Sequence, residues 1–153
     1  MNTYDSTDDT LKHKENIRHV IEDIIVPELL KRAKTQDDSK LQSPEKETYD
    51  EFIPKLKTAK YGSGEYLQLK TEMEKKGLKH HFEVNRHHPE HYPNNDISYM
   101  NLIDLVEMFA DHYAASLRSD TGYEKGEKSN ADRYHYSDQI LKILLNTHKE
   151  LFK

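Results

Sequence analysis

The chain has 153 residues, a length that suits one domain, with 34% hydrophobic and 33% charged residues and a formal net charge of −5. The acidic, mixed charge excludes the basic footprint of a nucleic-acid binder and disfavours an anionic membrane surface. There is no cysteine, which excludes disulfides and thiolate chemistry, so any metal must be held by His, Asp or Glu.

No apolar run approaches the roughly 20 residues needed to span a bilayer. The opening "MNTYDSTDDT" is acidic and polar, unlike a signal peptide, and the expected location is the cytoplasm. The apolar residues are clustered rather than diluted, which predicts one modest core under a charged shell.

The pattern is helical nearly throughout. A first helix begins near Ser6 to Asp9 and carries Ile17, Val20, Ile21 and Ile24 on one face. Pro27 bends it or starts a second helix carrying Leu29, Leu30 and Ala33. "SPEKETYDEF" reads as a helix start, with Ser43 as cap, Pro44 at the first position, and Glu45 and Glu47 as negative charge near the helix N-terminus. Its apolar face is Tyr49, Phe52 and Ile53. "YGSG" breaks the chain, and a helix then runs from about Glu65 to Lys76, where Gly77 stops it.

The stretch "HHFEVNRHHPEHY" gathers five of the chain's ten histidines. Pro89 disfavours a helical conformation at His88. After the loop "YPNND" comes the longest apolar helix, from about Ser98 to Leu117, with Ile103, Val106, Ala110 and Leu117 as its apolar face. Residues 118–136 read as a polar connection with some mobility. A last helix from about Ser137 to Leu151 offers Ile140, Leu141, Leu144, Leu145 and Leu151 for packing. The expected architecture is all-α, a single domain over 1–153 with six or seven helices.

Helical phase selects polar residues that point inward. His13 lies on the stripe of Ile17, Val20 and Ile24. Asp37 extends the face of Leu30 and Ala33, and a carboxylate there must pair or bind a cation. His81, Asn85 and His88 share one face, and His80, Val84 and His87 the adjacent one. Asp104, Glu107 and Asp111 form an acidic stripe beside the apolar face, whose mutual repulsion a divalent ion would relieve. Such mixed ligands suit a divalent transition metal, Mn, Fe, Co or Zn, as one or two ions.

The order His, Asp, His, His, Asp over several helices resembles the HD-domain superfamily of metal-dependent phosphohydrolases. That family is all-α, and its members mostly hydrolyse phosphate esters of nucleotides. A closer resemblance is to an uncharacterised family of small bacterial and phage proteins with an "HDxSK" segment followed by "PE", a later "HHPEH" and a "DLxEMxxDW" helix. The matching stretches here are "QDDSKLQSPE", "HHPEH" and "DLVEMFADH".

The resemblance implies an HD-like helical bundle with His13, Asp37, His81, His88 and Asp111 as metal ligands, and Lys40, Arg86 and Arg118 as groups that grip an anion. Gln36 stands where the resemblance expects a histidine, and His112 where it expects a tryptophan. The expected activity is metal-dependent hydrolysis of a nucleotide or other small phosphate ester. Glu107 or His87 would orient or deprotonate the water, and Lys40 or Arg118 would neutralise transition-state charge. Two alternatives are a di-metal oxygenase on a related scaffold and a non-catalytic binder of a nucleotide or protein partner with a degenerate site, which Gln36 favours. Exposed Tyr and Phe residues leave dimerisation open.

Overall fold

The structure, a computed structural model, describes residues 4–60, 62–118 and 120–152. The first three residues of the acidic opening, Tyr61 in the glycine break and Ser119 in the polar connection lie outside them. The fold is all-α, with no strand among the described residues. Among the described residues no helix is long and apolar enough to cross a membrane. Two compact units divide the chain, Met1–Thr35 and Gln36–Lys153.

The first unit is one helical run: α1 (Thr7–His19), a π-helical turn (Val20–Ile25) and α2 (Val26–Thr35). Pro27 has no N–H to return to the preceding turn, and the widened π turn ends just before it, so the helix continues through the proline. Ile17, Val20, Ile21 and Ile24, expected on a core face, are each 45–56% exposed.

The second unit starts with a 3₁₀ turn (Asp38–Leu41), followed by α3 (Glu45–Thr58) and α4 (Gly64–Met73). Ser63 Oγ caps α4 by accepting the Tyr66 N–H at 3.2 Å. Gly77 does not stop this helix. The run passes through a π-helical turn (Glu74–Leu78) into α5 (Lys79–Val84). Gly77 is there because α3 crosses against it: a Cβ at this position would lie 2.4 Å from Thr48 Oγ1.

Three short 3₁₀ turns lead to α6 (Leu102–Ser116), then α7 (Tyr123–Tyr134) and α8 (Asp138–Leu151). Helix α6 starts later than its apolar pattern suggests, because Asn101 and Asp104 form a reciprocal capping box. The segment expected as a polar connection contains α7. Its buried face, Tyr123, Glu127, Ala131 and Tyr134, keeps helical spacing but is too polar to read as an apolar stripe.

The core cluster is Met108, Phe109, Tyr123, Ala131, Tyr134, Tyr136 and Leu144, from α6, α7, α8 and the turn before α8. Leu151, expected to pack, is 66% exposed. On α6 the expected apolar face is turned outward, with Val106 38% and Leu117 70% exposed. Asp104 is fully buried, Glu107 nearly so and Asp111 half-buried, so the acidic stripe also faces inward, beside Met108.

Candidate metal centre

Chain turns deliver three of the four candidate ligands, and helix α5 delivers His81. α2 ends at Thr35, and Asp37 follows in the left-handed region at φ 60°, which Asp tolerates better than most residues. Its side chain therefore does not continue the face of Leu30 and Ala33. α5 ends at Val84, and His88 adopts an extended conformation (φ −90°, ψ 130°) before Pro89. The chain thus folds back over the end of α5 and returns His87 and His88 to His81.

Asp37, His81, His87 and His88 each offer one ligand atom, and these atoms all lie within 4.8 Å of one another. His81 Nε2 is 2.8 Å from His88 Nε2. Asp37 Oδ1 is 3.4 Å from His81 Nε2 and 3.7 Å from His87 Nε2. Around a tetrahedral ion with bonds near 2.0–2.1 Å, adjacent ligand atoms stand about 3.3 Å apart. Asp37 Oδ1 and His87 Nε2 are both buried without a hydrogen-bond partner. Buried polar atoms rarely go unpaired, and these two point at a common spot. Three imidazoles with one carboxylate fit a first-row transition ion and suit calcium or magnesium poorly.

Outer carboxylates orient the rings. Fully buried Glu45, at the start of α3, sits 2.8 Å from His81 Nδ1 and 2.7 Å from His80 Nδ1. Glu107 Oε1 lies 3.3 Å from His87 Nδ1. A ring that donates from Nδ1 to a carboxylate leaves Nε2 as a lone pair for a cation. Ser39 Oγ donates to Glu45 Oε2 at 2.9 Å, and Asn85 Nδ2 donates to Ser39 Oγ at 2.8 Å, closing a network behind His81. Lys40 is ion-paired with Asp37 through Oδ2, leaving Oδ1 for the site.

Burial and the charge of Lys40 hold His81 below the ordinary histidine value, and burial, the neighbouring imidazoles of His87 and His81 and the charge of Lys40 hold His88 down to about 2. In His81 the neighbouring carboxylates Asp37 and Glu45 pull the other way. Neutral imidazoles are the form that binds metal.

The other expected site residues have different surroundings. His13 is exposed on α1, in the first unit. Asp111 is outside the four-ligand group, with Gln36 Nε2 at 3.5 Å from its Oδ1, a long contact. Glu107 and His87, expected to handle water, stand 3.3 Å apart, and His87 is one of the four residues that could hold a metal ion. Arg86 was expected to grip an anion from outside. Its guanidinium donates to both oxygens of Asp104, at 3.1 and 2.7 Å, because a fully buried carboxylate needs a cationic partner. Arg118 is exposed just past the end of α6.

Glu45 was missed as an orienting group because its position near a helix start explained it as dipole charge. Its spacing to buried Thr48 and Phe52 was the available signal.

A cleft of about 1120 Å³ borders the group, with His88, Asp111, His112 and Asn130 among its lining side chains. The site therefore opens through His88.

Neither a curated protein nor a solved structure matches the chain. A family model described as "Family of unknown function (DUF5662)" matches residues 2–150, nearly the whole chain. The chain that gathers Asp37, His81, His87 and His88 around one point belongs to the DUF5662 family.

Proposed function

We propose that the protein is a metal-dependent phosphohydrolase acting on a nucleotide or another small phosphate ester. The observation that carries this reading is the convergence of four ligand atoms within 4.8 Å of one another, two of them buried and unpaired, at the edge of an open cleft. Asp37, His81, His87 and His88 would hold the ion, and Glu45 and Glu107 would keep two of the rings aimed. A divalent transition ion there supplies Lewis acidity toward a phosphate oxygen and lowers the pKa of water. Lys40 holds Asp37 in its one-oxygen pose, and Lys70 and Lys125 are among the residues that line the cleft.

One four-ligand group among the described residues favours one ion over the two that an oxygen-activating di-metal site needs. Gln36, whose amide is a poor ligand, lies against Asp111 rather than in the group. The test is phosphate release from a panel of nucleotides and small phosphate esters, after loading with Mn, Fe, Co or Zn. Turnover by the loaded protein that disappears in His87→Ala supports the reading. Binding of metal with no turnover of any ester overturns it in favour of a non-catalytic binding protein.

A further inference from the structure

We propose that His112 is the proton-transfer residue of this hydrolytic site and that Glu127 is the residue that positions it; the inference rests on the phosphohydrolase reading above. His112, on α6, stands outside the ligand group but lines the same cleft as His88. Its Nδ1 lies 2.9 Å from Oε2 of Glu127 on α7, with Asn130 Nδ2 3.3 Å from the same nitrogen. A carboxylate only accepts, so the shorter contact places the proton on Nδ1, and the Asn130 amide nitrogen, itself a donor, makes no hydrogen bond to it. Nε2 is then the nitrogen left with a lone pair for the cleft that His112 lines.

Glu127 is 1% exposed, and its other oxygen, Oε1, is buried without a hydrogen-bond partner. A carboxylate that deep is costly unless a cation forms beside it. The imidazolium created when His112 takes a proton is that cation. The pair has the logic of a carboxylate–histidine dyad: one group fixes the tautomer and steadies the charge, and the other moves the proton.

The step balances as follows in atoms. Nε2 takes one proton of the attacking water, whose oxygen forms a bond to phosphorus. The ester P–O bond breaks, and the same proton passes from Nε2 to the departing oxygen. An alcohol and inorganic phosphate leave, and His112 is neutral again.

Leaving-group dependence tests this, using the full chain loaded with Mn or Zn and assayed on p-nitrophenyl phosphate and on a nucleoside 5′-monophosphate. p-Nitrophenolate departs without a proton, whereas a ribose alkoxide needs one. In His112→Asn and Glu127→Gln, metal content stays at the wild-type level. Loss of the base slows both esters, and turnover of the nucleotide falls at least about tenfold further than that of the p-nitrophenyl ester, because only its leaving group also needs the acid.

Equal losses on both esters, no loss on either, or loss of the metal would overturn the assignment. A wild-type protein that holds metal and hydrolyses neither ester sinks the phosphohydrolase reading, and this inference with it. Wild-type turnover of both esters with no leaving-group split in the variants sinks this inference alone.

A second readout needs no variant and no activity. The imidazole nitrogens of His112 in the ¹⁵N-labelled, metal-free protein should report an Nδ1–H ring. An Nε2–H ring overturns the proposal.

Discussion

His81 and His88 meet nitrogen to nitrogen: their Nε2 atoms are 2.8 Å apart, while the Nδ1 of His81 faces Glu45 Oε2 at 2.8 Å. One proton between the rings would satisfy those two nitrogens. It would leave His87 Nε2 and Asp37 Oδ1 unpaired beside them, as they are here. A single cation satisfies all four atoms at once.

The first prediction follows from that accounting. The purified protein binds about one equivalent of a divalent transition ion, measured by elemental analysis, and His81→Ala abolishes binding. Glu45→Gln, which replaces no ligand, weakens affinity about 10–100-fold in competition with a chromogenic chelator. Wild-type affinity in that variant would falsify the orienting role of Glu45.

The pH dependence has a definite sign. His88 is held down to about 2 in the fold, and His81 is lowered too, against an ordinary value of 6.5. Below about pH 6.5 the unfolded chain binds protons that the folded chain refuses, so stability rises with pH through that value and is lost as pH falls. Urea midpoints of the metal-free protein should therefore decline from about pH 7 to pH 5. His88→Asn should flatten part of the decline. A midpoint that rises on acidification contradicts the neutral, buried rings.

Asp104 organises the entry to α6. Its carboxylate accepts both Arg86 bonds, the Tyr92 hydroxyl at 2.9 Å and the Asn101 N–H at 3.1 Å. Asp104→Ala is expected to cost about 3 kcal/mol in chemical denaturation. Arg86→Ala should cost less, because water reaches its half-exposed guanidinium and can solvate what remains. Equal stability of Asp104→Ala and wild type would show that the network contributes nothing.

Gly77→Ala should destabilise the protein by about 1–3 kcal/mol, since the added Cβ meets Thr48 Oγ1 and Cβ at 2.4 and 2.8 Å. Thr48→Ala in the same chain relieves only part of this, because the Thr48 Cβ remains. Thermal melts of the single and double variants measure both effects. An unaffected single variant would mean that α3 and the π-helical turn are not in contact.

The density of imidazoles in "HHFEVNRHHPEHY" was legible before any fold, and so was the inward pull of Asp37. Helical phase does not supply the reason for Asp37. Helical phase assumes that α2 continues, whereas it ends at Thr35 and a left-handed residue aims the carboxylate. Phase held in part on α6, whose expected apolar face turns outward at Val106 and Leu117. The 104, 107 and 111 stripe does face inward, although its carboxylates pair with Arg86, with His87 and, by a long contact, with Gln36. Glu45 and Glu127 could have been found by the same arithmetic, being in step with Phe52 and with Tyr123 and Ala131. They escaped notice because acidic residues near helix starts, or in polar stretches, have an ordinary explanation in solvent.

By itself the chain's sequence determined an all-α fold, the absence of thiolate chemistry and a supply of nitrogen and oxygen ligands. These follow from composition and from a period of 3.6 residues, which are local properties. Tertiary structure decided which histidines converge, which carboxylates stand behind them, and that Arg86 serves Asp104. Those choices depend on two non-helical turns, at Asp37 and His88, and on contacts between residues up to 75 positions apart. A local period carries no information about such contacts, because they form only when separate helices pack.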